Sequence, residues 1–285
     1  MGEPDSGRAK IILTIAALII ICAVVLFWLK FAESREFRVI FFNVGQGDAA
    51  LIRFPSGAKM LVDCGMNRDV LRKLGKYLPF YDRTIDYLLI THPDTDHYGG
   101  CADVLRRYDV KKVITNGTDK DADSYWQVWK GNLLSENAVE SVATAGMQIG
   151  ESGVTLEFFN PNSALRETDD NNNSLAFRLT YGTTTIFFSG DIEEKTEKNI
   201  LARYCGTTTI MSGCDAVKSE YLKVAHHGSD SSSNEDFLRA VFPSYAVISV
   251  GKNRFGHPSL RVMRKLERAD AVIWRTDEVG DIIIR

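Results

Sequence analysis

Histidine is scarce in this chain: five residues in 285, at positions 92, 97, 226, 227 and 257. Positive charge is not in excess either, with 34 Lys and Arg against 37 Asp and Glu and a formal net charge of −3. No global basic field therefore exists to hold long nucleic acid nonspecifically, which leaves only a local basic groove open. No internal repeat of fixed period runs through the sequence. No linker interrupts residues 37–285, so that stretch reads as one domain. What remains is an ordinary globular balance, 45% hydrophobic and 25% charged.

Two of the five histidines fall in one turn, Thr91-His92-Pro93-Asp94-Thr95-Asp96-His97-Tyr98-Gly99-Gly100. An apolar run, Tyr87-Leu88-Leu89-Ile90, leads into it and reads as a buried strand; Cys101 to Leu105 after it reads as a helix. Four metal-capable side chains thus sit on one strand-to-helix turn, and imidazole with carboxylate suits zinc or manganese. A polar turn in which Asp96 merely caps the next helix would need no histidine.

The N-terminal part has its own pattern. Residues 1–10 are polar, and Ile11 to Leu29 carries no charge. At about 1.5 Å per residue, this run nearly matches a hydrocarbon core of about 30 Å. Trp28 and Lys30 mark an interface. The bulky end Val25-Leu26-Phe27-Trp28 is unlike a signal-peptide cleavage site, and no polar face recurs as in a helix packed on a soluble core. The expectation is a single-pass anchor over 11–29, a linker over 30–36 and the main domain over 37–285. Arg8 and Lys10 favour an inside N-terminus, which puts the main domain outside the cytoplasm.

From Phe37 short strands begin. Phe37–Phe42, Ala49–Phe54 and Lys59–Asp63 surround the turn Pro55-Ser56-Gly57, and Leu175–Thr180 with Thr184–Phe188 flank Tyr181-Gly182-Thr183. Both are hairpin signals. Further strands are expected at Lys112–Thr115, Val154–Phe159, Tyr221–Ala225, Tyr245–Val250, Ala271–Trp274 and Asp281–Ile284. Helices are expected at Asp69–Tyr77, Asp121–Leu134, Ile192–Tyr204, Asn234–Val241 and Ser259–Arg268. Trp126 and Trp129 read as packing residues. Polar groups recur at strand ends: Asp63, His92 to His97, Asp191 and His226-His227. Sites form where strand-end loops gather in layered α/β folds, and the element order suggests two sheets face to face with helices outside. Cys205 and Cys214 flank a short polar loop and are expected to form a disulfide in an oxidising compartment. Cys64 and Cys101 sit in apolar elements and are expected to stay reduced.

These motifs carry a resemblance. H-P-D-T-D-H after a strand, S-G-D after a hairpin and H-H-G-S after another strand resemble the metallo-β-lactamase superfamily, over roughly residues 37–285. Within it, F-F-N-V-G-Q-G-D-A, N-N-S-L, K-V-A-H-H-G-S and N-R-F-G-H-P are similar to the C-terminal domain of ComEC-type DNA-uptake competence proteins. The resemblance implies a four-layer αβ/βα sandwich with two divalent metal ions, Zn or Mn, between its halves. It implies His92 and Asp94 on one metal, Asp96 and His97 on the second, Asp191 bridging and His227 as the last histidine ligand. His226 would be a neighbour or hydrogen-bond donor, and Asp63 would orient the turn from behind it. The superfamily usually has a histidine at the position of Asp94, and another between His97 and His226. Asp170, Asn171 or Asn173 would be the candidates for the latter place, and the richer oxygen set makes manganese a rival to zinc.

The implied activity is a phosphodiesterase or nuclease acting on DNA. Two metals can share a hydroxide at neutral pH and clamp both moving oxygens of the diester. Asp96, His226 and His257 are the candidate catalytic groups, His257 either on the leaving group or phosphate or packing its loop. Arg254 and Arg275 are candidate phosphate contacts or surface ion pairs. A DNA-uptake channel is the implied partner. The rival readings are a hydrolase of the same fold acting on a lactam, lactone or choline phosphoester, and a binding module without turnover.

Overall fold

The computed structural model describes residues 6–120, 123–135, 138–163 and 169–285; within these the side chains of 6, 8–9, 26–27, 29–34 and 135 are not described. The chain starts with a helix, α1 (Ser6–Ser34). It is longer than the apolar run at both ends, so it takes in part of the expected polar tail and most of the expected linker; Lys10, Lys30 and their neighbours are adequate helix formers. Its side chains are exposed from 10 to 25. Among the described residues no helix is long and apolar enough to cross a membrane.

The first half continues with β1 (Arg38–Phe41), β2 (Ala50–Arg53), β3 (Lys59–Val62), α2 (Asp69–Tyr77), β4 (Thr84–Leu89), α3 (Thr95–Tyr98), α4 (Cys101–Arg107), β5 (Asp109–Thr115), α5 (Ser124–Ser135) and β6 (Val139–Val142). The second half repeats the plan. It has β7 (Gln148–Glu151), β8 (Val154–Asn160), β9 (Ala176–Tyr181), β10 (Thr184–Phe188), α6 (Glu194–Tyr204), β11 (Tyr221–Lys223), α7 (Glu235–Val241), β12 (Tyr245–Ile248), α8 (Leu260–Arg268), β13 (Val272–Arg275), α9 (Thr276–Val279) and β14 (Ile282–Ile284).

Two seven-stranded sheets result, ordered β14-β1-β2-β3-β4-β5-β6 and β13-β12-β11-β10-β9-β8-β7. In each, hairpin strands pair antiparallel and the strand–helix units then add parallel strands. β14 returns to the first sheet, Ile284 opposite Val39. An apolar core between the sheets includes Phe41, Phe177 and Phe188, the last two stacked at 4.6 Å. A further core lies on the outer side of each sheet, beneath its helices. Trp126 and Trp129 pack in the first of these. This is the two-sheet α/β sandwich. The parallel strands β3, β4, β10, β11 and β12 all end at one edge, and the site assembles there.

Helix and strand bounds differ by a few residues from expectation, and residues 121–122 of the expected helix lie outside the described residues. β11 stops at Lys223, because His226 and His227 adopt positive φ in a 3₁₀ turn. The cysteine expectation needs correction. Cys205 and Cys214 are bonded, and so are Cys64 and Cys101, with Cα atoms 5.3 Å apart. Asp63, at φ +56°, turns the chain off β3 so that Cys64 meets the start of α4. Gly100 permits the approach, since a Cβ there would lie 2.4 Å from the Cys64 carbonyl oxygen. Burial in apolar elements brought these two cysteines together; it did not keep them apart.

Candidate metal centre

The turn is held from behind. Thr91 directly follows β4 and the residue Ile90, and its N–H and hydroxyl donate to the two oxygens of Asp63 at 2.8 and 2.7 Å. His97 Nδ1 donates to the same carboxylate at 2.9 Å. An ionised carboxylate can only accept, so the ring keeps a proton on Nδ1 and turns Nε2 forward. His227 is fixed in the same manner from the other sheet, with Nδ1 2.9 Å from the Ser249 carbonyl and 3.4 Å from Asp48. Asp48 is in turn ion-paired with Lys223, a lysine buried at the end of β11.

The forward nitrogens converge on one carboxylate. Asp191 Oδ2 lies 3.3 Å from His97 Nε2 and 3.3 Å from His227 Nε2. Asp96 Oδ2 lies 3.1 Å from His227 Nε2, and the ring of His92 is 4.1 Å from that of His97. Yet the Nε2 atoms of His92, His97 and His227 are buried and make no hydrogen bond. Buried polar atoms are seldom left so. Three such nitrogens around a shared carboxylate are a donor set for divalent metal ions. Two sets emerge, His92-His97-Asp191 and Asp96-His97-His227, each with its donor atoms within 4.8 Å of one another. Asp48 joins Asp191 and His227 in a third, and Asp63 and His97 in a fourth.

Charges in the cluster are tightly linked. Burial opposes ionisation of Asp191, but His97, His227 and Lys223 outweigh it and hold the carboxyl well below the usual range. Burial likewise opposes a charged His227, yet Asp191, Asp48 and Asp96 push it up to about 10. His97 is raised well above the ordinary imidazole value against its burial, by Asp191 and Asp63. Protons and a metal ion therefore compete for these imidazoles.

Residues 42–252 match the Metallo-beta-lactamase superfamily. The chain belongs to this superfamily. Among curated proteins it is 28% identical to ComE operon protein 3 of Bacillus subtilis, over 93% of this chain and 35% of that protein. It is 27% identical to Recombination protein 2 of Haemophilus influenzae, over 93% of this chain and 31% of that one. With Competence protein ComA of Neisseria gonorrhoeae the values are 28%, 87% and 32%. The chain thus spans about a third of the length of these relatives. Among solved structures, the metallo-beta-lactamase fold protein YhfI of B. subtilis covers 87% of the chain with all of its own length, at TM-score 0.56 and 12% identity. Zn(2+)-bound PqqB of Methylobacterium extorquens covers 87%, with 99% of its own length, at 0.53 and 8%. At these identities the likeness is one of fold.

Against the superfamily pattern, His92, Asp96, His97, Asp191 and His227 come together. Asp94 does not enter any of these sets. It lies 3.7 Å from His92 Nε2 but pairs with Lys120 at 2.6 Å. Asp170 pairs with the same lysine at 3.0 Å, so Lys120 joins the two carboxylates on the rim. Burial would raise the Asp94 carboxyl; His92 and Lys120 prevail and hold it below the usual range. Asn171 and Asn173 belong to a 3₁₀ turn, the Asn173 amide donating to the Asp169 carbonyl. His226 faces Glu193 at 3.6 Å and His257 at a ring separation of 5.6 Å. Burial lowers the pKa of both imidazoles. The guanidinium of Arg275 is occupied by Asp277 and Glu278, at 2.7 and 2.8 Å.

Asp48 and Lys223 stand inside the motifs named above, but the sequence pattern assigns neither a role. A lysine closing an apolar strand four residues before a histidine was the available signal, since a buried ammonium needs a carboxylate. The glycine of Gln46-Gly47-Asp48 was another. A Cβ at Gly47 would lie 2.2 Å from the Asp96 carbonyl oxygen, so glycine is what lets Asp48 approach the metal turn.

Proposed function

We propose that the chain is a membrane-anchored, divalent-metal-dependent phosphodiesterase that cleaves DNA, held by residues 11–29 with its hydrolase domain outside the cytoplasm. The observation that carries it is the set of three buried, unsatisfied imidazole nitrogens around Asp191. His92, His97 and Asp191 would hold one ion, and Asp96 and His227 the other, with Asp191 between them. Two such ions supply a strong nucleophile from water at neutral pH and neutralise charge on a phosphodiester; zinc and manganese both suit the mixed donors.

The chain's own residues do the positioning. Asp63 and Thr91 lock His97, while Ser249, Asp48 and Lys223 lock His227. His226 and His257 stand on one wall, where an N–H can reach an oxygen of a bound diester. Lys120 holds Asp94 and Asp170 together beside His92. DNA as substrate, and an uptake channel as partner, rest on the names of the competence relatives. The anchor rests on α1, a helix whose described residues 11–25 are exposed and uncharged, a surface that suits lipid better than water.

Purified full chain in detergent, given Mn²⁺ or Zn²⁺, should hydrolyse bis-p-nitrophenyl phosphate and single-stranded DNA but not nitrocefin. His97→Ala and Asp191→Ala should each lose activity at least ~100-fold and bind less metal. Full rate and metal content in both variants would remove the reading.

A further inference from the structure

A groove of about 680 Å³ lies between three loops, lined by Gly45, Gln46, Met66, Lys252, Arg254 and Phe255 among others. Two of these loops meet in a close backbone contact; a Cβ at Gly251 would lie 2.3 Å from the Gly45 carbonyl carbon. The two loops in contact also carry Asp48 and His257. Phe255 is 67% exposed and Met66 47%, an unusual apolar exposure at a site's edge. Lys252 and Arg254 are exposed and make no ion pair or hydrogen bond among the described residues. The carboxylate in the lining, Asp69, is paired with Arg72.

The rings form a ladder. Phe255 stacks on His257 at 5.8 Å, His257 lies 5.6 Å from His226, and His226 lies 6.2 Å from His227. An exposed aromatic flanked by two free cations, at the end of a row of rings that ends at a metal-binding histidine, fits one ligand class. Bases stack on aromatic rings while cations follow the phosphates, and only an unpaired strand offers both.

We infer that this groove binds the stretch of single-stranded nucleic acid next to the phosphodiester in the centre, with one base on Phe255 and phosphates against Lys252 and Arg254. The inference rests on the phosphodiesterase reading and specifies its substrate as single-stranded. An apolar or lone-ester substrate would have no use for the two cations.

The test is binding of a fluorescent, phosphorothioate-linked oligothymidylate to the Mn²⁺-loaded full chain, read by anisotropy over a salt series. Phe255→Ala should weaken binding about 5- to 160-fold, and Phe255→Trp should restore it. The pair Lys252→Ala with Arg254→Ala should flatten the slope of log affinity against log salt by about 1.4, at ~0.7 per lost phosphate contact. A duplex of the same length should bind more weakly than the single strand. Unchanged binding in Phe255→Ala, an unchanged salt slope, or equal binding of the duplex would each overturn the inference. Hydrolysis of bis-p-nitrophenyl phosphate by the wild type reports separately on the centre, so failure there is distinguishable from failure of the groove.

Discussion

Replacing Asp63 by Asn separates the hydrogen bonds behind the metal turn from every other property of the position. Asparagine keeps the volume and tolerates the backbone at φ +56°. The carboxylate now accepts three donors: Thr91 N–H, Thr91 O–H and His97 Nδ1–H. An amide offers one oxygen and one NH₂. If the oxygen stays on the Thr91 N–H, the NH₂ faces the Thr91 hydroxyl and His97 Nδ1. The hydroxyl can turn, because His92 Nδ1 is 3.1 Å away. The Thr91 hydroxyl, 3.3 Å from His97 Nδ1, is a poorer acceptor for its proton than the carboxylate, so the amide favours the tautomer with the ring proton on Nε2, toward Asp191. That proton occupies the lone pair a metal requires. If the amide flips, a donor faces the Thr91 N–H instead, at a cost of about 1–3 kcal/mol in stability. Loss of such an outer hydrogen bond typically lowers metal affinity about 10- to 100-fold. Calorimetric titration of the metal-free variant with Mn²⁺ and Zn²⁺ measures this, and ring ¹⁵N shifts show which nitrogen carries the proton. A folded Asp63→Asn with wild-type affinity, within twofold, would refute the argument that Asp63 sets the donor nitrogen of His97.

Further outcomes follow from other parts of the molecule. In unreduced protein secreted to an oxidising compartment, alkylation and mass spectrometry should find only Cys22 free. Replacing Cys64 and Cys101 together should cost about 4 kcal/mol, against about 2.5 kcal/mol for Cys205 and Cys214, as the longer closed loop predicts; denaturant melts decide it. Asp281 accepts from Lys73, Lys76, Tyr77 and the Asn43 N–H, joining α2 to the last strand. Burial opposes its charge, but Lys73 and Lys76 prevail and pull its pKa down to about 2. The folded value is depressed, so its contribution is present above the ordinary value near 4 and is lost as pH falls through about 2. Melts in acid should show a loss of about 1–2 kcal/mol over that window, discounted because Lys76 is exposed, and Asp281→Asn should lack that part of the loss.

The metal turn was legible because four candidate ligands share six consecutive residues after an apolar strand. Asp191 and His227 were legible because each follows a strand, and strand ends meet at one edge of such sheets. The residues behind them were not. Asp48 reaches the site only because Gly47 permits a contact with a turn some fifty residues away, and Lys223 looks like part of a strand until its burial is seen. The resemblance implies Asp94 as a ligand beside His92, and the structure adds what no local pattern reveals, that Lys120, from another loop, lies 2.6 Å from it. β6 and β7, with Val-Glu-Ser-Val and Gln-Ile-Gly-Glu, are too short and polar to show an apolar face. The pairing of β14 with β1 joins residues more than two hundred apart, and no local pattern encodes it. The bond between Cys64 and Cys101 escaped for the same reason.

Elemental analysis of the purified full chain, coupled to phosphodiester turnover, addresses the centre most directly. Protein stripped with chelator should hold no divalent metal and leave bis-p-nitrophenyl phosphate intact. Readdition of Mn²⁺ or Zn²⁺ should restore close to two ions per chain together with hydrolysis, and Asp191→Ala should regain neither. A chain that binds no divalent ion, or that turns over the diester equally well after stripping, would contradict the assignment of His92, His97, His227 and Asp191 as a metal centre.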